Sequence, residues 1–192
     1  MRPLSSKEAG RSKGVVNVVD RKLVVCLDPG RAKDDVLRAK RSRERRFAFD
    51  HAFGPDSEQS EVFENTTAFL LDGVLQGYNA TVFAYGATGA GKTYTMLGKE
   101  GEARGIMVRT LEKLWDGLQR KRDEERVDFS VTMSYIELYN EQIRDLLTPT
   151  SDALDLREDP IRGPVVAGVT EVSATGAEQV MNMLQQGNAR RT

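Results

Sequence analysis

The chain has 192 residues, 39% hydrophobic and 30% charged, with a formal net charge of −1. That balance describes a globular protein with a sizeable core and excludes a disordered chain; a polyanionic partner would have to meet a local basic patch. One cysteine, Cys26, excludes an internal disulfide and suits a reducing compartment, and one histidine, His51, excludes a metal centre or triad built on several histidines. No apolar run approaches the ~18 residues that cross a bilayer, and a single domain is the expectation.

Alternating apolar stretches around residues 15–27 and 46–53 predict strands of a small sheet. Cys26 reads as a small buried strand residue, and His51 as a solvent-facing or packing residue. Between them Arg38, Lys40, Arg41, Arg43, Arg45 and Arg46 make a basic, exposed loop. Asp56 and Gln59 have the spacing of a capping box. The helix they open carries Val62, Thr66, Phe69, Leu70, Gly73 and Val74 on one face, and Gly77 closes it.

The apolar run Thr81-Val82-Phe83-Ala84-Tyr85 reads as a short buried strand. Directly behind it, Gly86, Ala87, Thr88, Gly89, Ala90, Gly91, Lys92 and Thr93 fit the phosphate-binding pattern G-x-x-x-x-G-K-S/T. A strand feeding a glycine-rich turn and then a helix is the context this pattern needs. Glycines let backbone amides converge on phosphate oxygens, Lys92 reaches the β- and γ-phosphates, and the Thr93 hydroxyl holds Mg²⁺. A helix after Thr93 completes such a site with its N-terminal amides.

Gly98, Gly101 and Gly105 predict a surface loop interrupting that helix. It resumes through Met107, Leu111, Leu114, Trp115 and Leu118, and the mixed charges of residues 121–126 form its solvated end. Phe129, Val131, Met133 and Tyr135 alternate as a strand with one buried face. Residues 140–147 read as a short helical turn stopped by Pro149. Residues 152–159 and 165–172 bracket a proline-and-glycine loop as a hairpin. Thr175 and Glu178 form a capping box for a last helix with Ala177, Val180, Met181 and Leu184 inward. Interleaved strands and helices predict an α/β fold with a phosphate site at a strand's carboxyl end. This leaves GTPases, small-molecule kinases, helicase-like ATPases and cytoskeletal motors open, although the guanine-specific N-K-x-D sequence does not occur.

The flanks of the loop narrow the choice. Residues 77–98, GYNATVFAYGATGAGKTYTMLG, resemble a kinesin motor domain, and residues 134–147, SYIELYNEQIRDLL, resemble a kinesin strand-to-helix segment. Arg2-Pro3-Leu4 and Gly187-Asn188-Ala189-Arg190-Arg191-Thr192 fit as well. GATGAGKT, Met133-Ser134-Tyr135 and Leu156-Arg157-Glu158-Asp159 are most similar to the eighth kinesin subfamily, whose members move toward microtubule plus ends and commonly promote depolymerisation there.

The resemblance implies a P-loop NTPase fold of the kinesin-motor type: a central, mostly parallel sheet flanked by helices, incomplete at both ends. It implies ATP and Mg²⁺ as cofactors, with Gly86 to Thr93 around the phosphates, Lys92 stabilising the transferred phosphoryl group and Thr93 ligating Mg²⁺. Arg2, Pro3 and Tyr94 match positions that flank the adenine ring; Tyr94 equally suits an ordinary half-buried helix tyrosine. The basic run from Arg38 to Arg46 corresponds to a loop that contacts tubulin in the eighth subfamily, and also suits a solvated loop. The hairpin of residues 155–171 matches another microtubule-facing segment. A microtubule-associated, cytoplasmic location follows, with no nucleic-acid or membrane partner.

The chain also departs from the pattern. Only Arg2 and Pro3 match the R-x-R-P phrase that ends the first central kinesin strand, and neither N-x-x-S-S-R-S-H nor D-L-A-G-S-E occurs. The resemblance therefore implies a partial motor domain over residues 1–192, lacking that strand, the switch regions and the neck linker. Alone, such a piece is expected to be poorly stable, to bind Mg-nucleotide weakly and to hydrolyse it negligibly. A non-catalytic nucleotide- or tubulin-binding module is the alternative reading.

Overall fold

The computed structural model describes Pro3, Glu8 and residues 14–27, 44–99, 103–149 and 152–191. They fall into two compact units, divided between Thr110 and Leu111. The first unit opens with three antiparallel strands: β1 (Val16–Val18), β2 (Leu23–Leu27) and β3 (Glu44–Ala48). Asp20 makes the first turn, its Oδ1 accepting the amides of Lys22 and Leu23 at 2.7 and 2.8 Å. Arg45 and Arg46, expected in a loop, instead pair with Cys26 and Val25 across the ladder. Their extended backbone is set by that pairing, while their side chains stay exposed.

The predicted helix is broken into α1 (Gln59–Thr66) and α2 (Leu70–Leu75). At the break the Phe63 carbonyl accepts from both Thr67 and Ala68, at 2.9 and 3.0 Å. The second of these is a five-residue closure, which inserts one residue and rotates the following face. Phe63, Thr67, Ala68 and Leu71 are therefore buried, while Phe69, expected inward, is 63% exposed. The capping box does not form either: Glu58 is the N-cap, and its side chain caps no helix amide but accepts from the Ser60 hydroxyl at 3.2 Å. Gly77 does close the segment. At φ +98 it lets Tyr78 and Gly77 donate to the carbonyls of Gly73 and Val74, a paired helix stop that a side chain would strain.

Residues 79–85 form no helix and pair with no strand among the described residues. The buried strand expected at residues 81–85 is thus not formed within this chain, and Phe83 and Tyr85 are 82% and 95% exposed. Its apolar side chains favour extended backbone, but burial needs a neighbouring strand, and every ladder among the described residues is antiparallel and lies elsewhere. Next comes the short helix α3 (Lys92–Met96). Gly98 and Arg104 then meet in an isolated antiparallel bridge, Gly101 of the predicted loop lies outside the described residues, and the chain resumes as α4 (Ile106–Glu125) with Ile106, Val108 and Trp115 buried.

In the second unit β4 (Val131–Met133) pairs with β9 (Val172–Ala174). β5 (Ile136–Tyr139) and β6 (Gln142–Asp145) form a hairpin where a helical turn was expected. Asn140 and Glu141 both take left-handed conformations, φ 49 and 63, which make a tight two-residue reversal rather than a helix. β7 (Asp155–Asp159) and β8 (Gly163–Ala167) form the predicted hairpin. The last helix, α5 (Ala177–Asn188), buries Val180 and Leu184 as its spacing predicts, each contributing about 1.5–3 kcal/mol of apolar burial. Its start differs by one position: Gly176 is the N-cap, and Gln179, not Glu178, accepts from the Thr175 amide at 2.9 Å. Trp115 is tied to the same corner, its Nε1 donating to the Thr175 carbonyl at 3.3 Å.

Candidate nucleotide site

Residues 86–91 form a turn ahead of α3. Gly91, the N-cap of α3, sits at φ +96, a left-handed conformation that favours glycine. At Gly86 an added Cβ would lie 3.0 Å from the Ala90 Cβ, so the concavity is one a side chain would begin to fill. Within the loop the Ala90 amide donates to the Ala87 carbonyl at 3.0 Å. The backbone amides of Gly89, Gly91, Lys92 and Thr93 have no backbone acceptor among the described residues. Amides without backbone acceptors at a helix start are the donors that anion sites use.

Lys92 supplies the charge. Its Nζ donates to the carbonyls of Gly86 at 2.8 Å and Ala87 at 3.1 Å, so the ammonium is held against the loop it serves. Thr93 is exposed on the first turn of α3, and a hydroxyl there is the kind of oxygen ligand a hard cation takes. This donor set fits a polyphosphate with a hard cation: amides and an ammonium for phosphate oxygens, and a hydroxyl for the metal.

Beside the loop lies a cleft of about 980 Å³, lined in part by Pro3, Phe53, Ala90, Gly91, Tyr94 and Lys99. Pro3 and Tyr94, two of the three positions expected around a purine, therefore meet in one cavity that reaches the phosphate loop. The third, Arg2, lies outside the described residues, as do Arg38, Lys40, Arg41 and Arg43. His51 takes the packing role: its ring stacks on Phe53 with centroids 4.2 Å apart, and its Nδ1 is buried without a hydrogen bond among the described residues. Gln59, read from the sequence as a helix cap, lines the cleft and donates from Nε2 to the Tyr94 carbonyl at 2.6 Å. The signal for it was its amide side chain at a position that turns out buried, but its partner lies 35 residues away.

The family model described as "Kinesin motor domain" matches residues 1–192. The chain belongs to the kinesin motor domain family. Among curated kinesins it is 47% identical to the kinesin-like protein KIF19 of Xenopus laevis and to KIF19 of Homo sapiens, over its whole length and 19% of theirs. It is 45% identical to the kinesin-like protein KIN-8B of Arabidopsis thaliana, over 99% of this chain and 23% of that protein. The chain thus spans about a fifth of the length of these kinesins. The similarity to the eighth subfamily read from the loop and its flanks is borne out by these relatives. The structure superposes on a kinesin solved as "KIF14[391-772] dimer two-heads-bound state - AMP-PNP in complex with a microtubule" with a TM-score of 0.85. The two are 31% identical over all of this chain and 52% of that one. The kinesin-type P-loop NTPase fold expected from the sequence is therefore the fold of this chain, but the central, mostly parallel sheet expected with it is not formed among the described residues, whose ladders are all antiparallel.

Proposed function

We propose that the protein carrying this chain is an ATP-driven microtubule motor of the eighth kinesin subfamily, and that residues 1–192 supply its phosphate-binding half. The observation that carries this reading is the open cradle of Gly86 to Thr93, with unclaimed amides and Lys92 at its mouth, in a kinesin motor sequence. In this reading the cradle amides and Lys92 hold the β- and γ-phosphates, and the Lys92 charge offsets the charge that develops on transfer. Thr93 ligates Mg²⁺, and Mg²⁺ when bound would neutralise phosphate charge and orient the γ-group. Arg2, Pro3 and Tyr94 border the adenine, Tyr94 offering an aromatic face and Pro3 a rigid apolar edge. Lys92 must leave the Gly86 and Ala87 carbonyls to meet phosphate, an exchange of bonds within a short reach.

Arg38, Lys40, Arg41, Arg43, Arg45 and Arg46 are the proposed contact with the acidic surface of tubulin, speeding encounter and weakening with salt. The exposed side chains of Arg45 and Arg46 on β3 support a surface role. A microtubule-associated, cytoplasmic site of action belongs to the same proposal.

The test is ATP turnover by the intact protein, with and without microtubules. Microtubule-stimulated turnover that Lys92→Ala abolishes supports the motor. Nucleotide binding with no turnover in either condition supports the alternative, a binding module without an engine.

A further inference from the structure

Deepening the nucleotide reading, on which it rests, we infer that Gln59 is a positioning residue for the base end of the site, acting through the backbone of Tyr94. Three observations converge on it. Gln59 is a buried polar side chain, 8% exposed, at the first position of α1. A buried amide without partners is costly, so its contacts define its task. Its Nε2 donates to the Tyr94 carbonyl at 2.6 Å; because the acceptor is a carbonyl, the nitrogen end of the amide must face it.

The Tyr94 carbonyl is the right atom to hold. α3 is only five residues long, so carbonyls in its last turn lack helical partners. The carbonyls of Gly91 and Thr93 are met by the amides of Thr95 and Leu97, but no backbone amide among the described residues outside α3 reaches that of Tyr94. Gln59 completes the helix end from a separate element. It thereby joins the wall of the cleft, which residues 53–59 help line, to the helix that begins at the phosphate loop. Tyr94 is 47% exposed and lines the same cleft. Holding its carbonyl fixes the Cα–Cβ direction, and with it the angle at which the ring meets a planar base. The phosphate end, built from residues 86–93, does not contact Gln59 through any hydrogen bond.

The two ends of the ligand separate the effects. The measurement is competition of ATP and of inorganic tripolyphosphate against a fluorescent ATP analogue on the intact protein, for wild type, Gln59→Met and Gln59→Glu. Loss of one hydrogen bond predicts that the preference for ATP over tripolyphosphate falls about five- to tenfold in both variants, with tripolyphosphate affinity held within about twofold. Retained tripolyphosphate binding also shows that the variants fold. An unchanged preference, or an equal loss for both ligands, overturns the inference while leaving the nucleotide reading intact. A wild type that binds neither ligand overturns the nucleotide reading, and this inference falls with it.

Discussion

The Tyr135 hydroxyl donates to Asn188 Oδ1 at 2.7 Å, across the face where Gly187 lets α5 come down on the tyrosine ring. A Cβ at Gly187 would lie 2.5 Å from a ring carbon of Tyr135 and 3.3 Å from the Leu146 Cβ, so the ring or the helix would have to shift. Gly187→Ala would gain helix propensity elsewhere, but here overpacking wins, at a net cost of about 1–3 kcal/mol. Thermal melts of the second unit should show a lowered midpoint, and Tyr135→Ala combined with Gly187→Ala should recover part of it. Burial pushes the Tyr135 hydroxyl above the ordinary 10.0, Arg191 opposes this and Glu137 adds to it. A raised value favours the protonated folded form, so this stability is complete below pH 10 and lost as pH rises through the folded value.

Asp145 should govern the acid side. Burial pushes its carboxyl up, but hydrogen bonds from the Thr170 side chain and from the Thr170, Leu147 and Thr148 amides outweigh it and leave the group below the ordinary 3.8. Oδ2 accepts from Thr170 at 2.7 Å and Oδ1 from Leu147 at 2.8 Å. A lowered value favours the ionised folded form, so the contribution is present above 3.8 and disappears as pH falls through the folded value. Asp145→Asn should cost about 1–3 kcal/mol at neutral pH. It should also flatten the loss of urea midpoint below pH 4.

Arg190 closes the same corner through its Nη1, which donates to the Leu146 and Leu147 carbonyls at 2.7 Å each. Arg190→Ala leaves two carbonyls beside a buried Leu146 without their charged donor, at a cost of about 2–4 kcal/mol in chemical denaturation. Arg190→Lys should restore less than half of this, since a single ammonium on a flexible stem does not reproduce the planar guanidinium.

For Lys92 the expected effect is on chemistry. Lys92→Ala should lower ATP turnover by the intact protein by about 10²–10³, the usual effect of removing one donor from developing charge. Adenosine binding should be nearly unaffected, and isothermal titration against adenosine and ATP reads both in one experiment.

The glycine-rich turn and helix start at residues 86–93 were legible because their signal is local: eight successive residues carry the glycines, the lysine and the hydroxyl. Gly77 and the buried stripe of Val180 and Leu184 were legible for the same reason. What escaped depends on distant partners or on one backbone angle. Ile143, Leu146 and Leu147 have helical spacing, but left-handed Asn140 and Glu141 turn the segment into a hairpin. The extra residue at Phe63 to Ala68 rotated a face that simple periodicity had put around Phe69. Gln59 looked like a cap because three-residue spacing is a cap signal, whereas its partner Tyr94 is set by folding.

The unpaired run before the cradle bears on how the chain behaves in solution. Ala80, Thr81, Val82, Phe83, Ala84 and Tyr85 carry no charge and no proline, and they are held in no helix or ladder among the described residues. Such a segment, uncharged and with Phe83 and Tyr85 largely exposed among the described residues, is a template for strand addition between molecules. Light scattering by this chain should therefore climb steeply with concentration, and Phe83→Lys, on a side chain 82% exposed, should suppress it without disturbing the cradle. The segment that delivers the phosphate loop is thus also the one that sets the chain's colloidal limit.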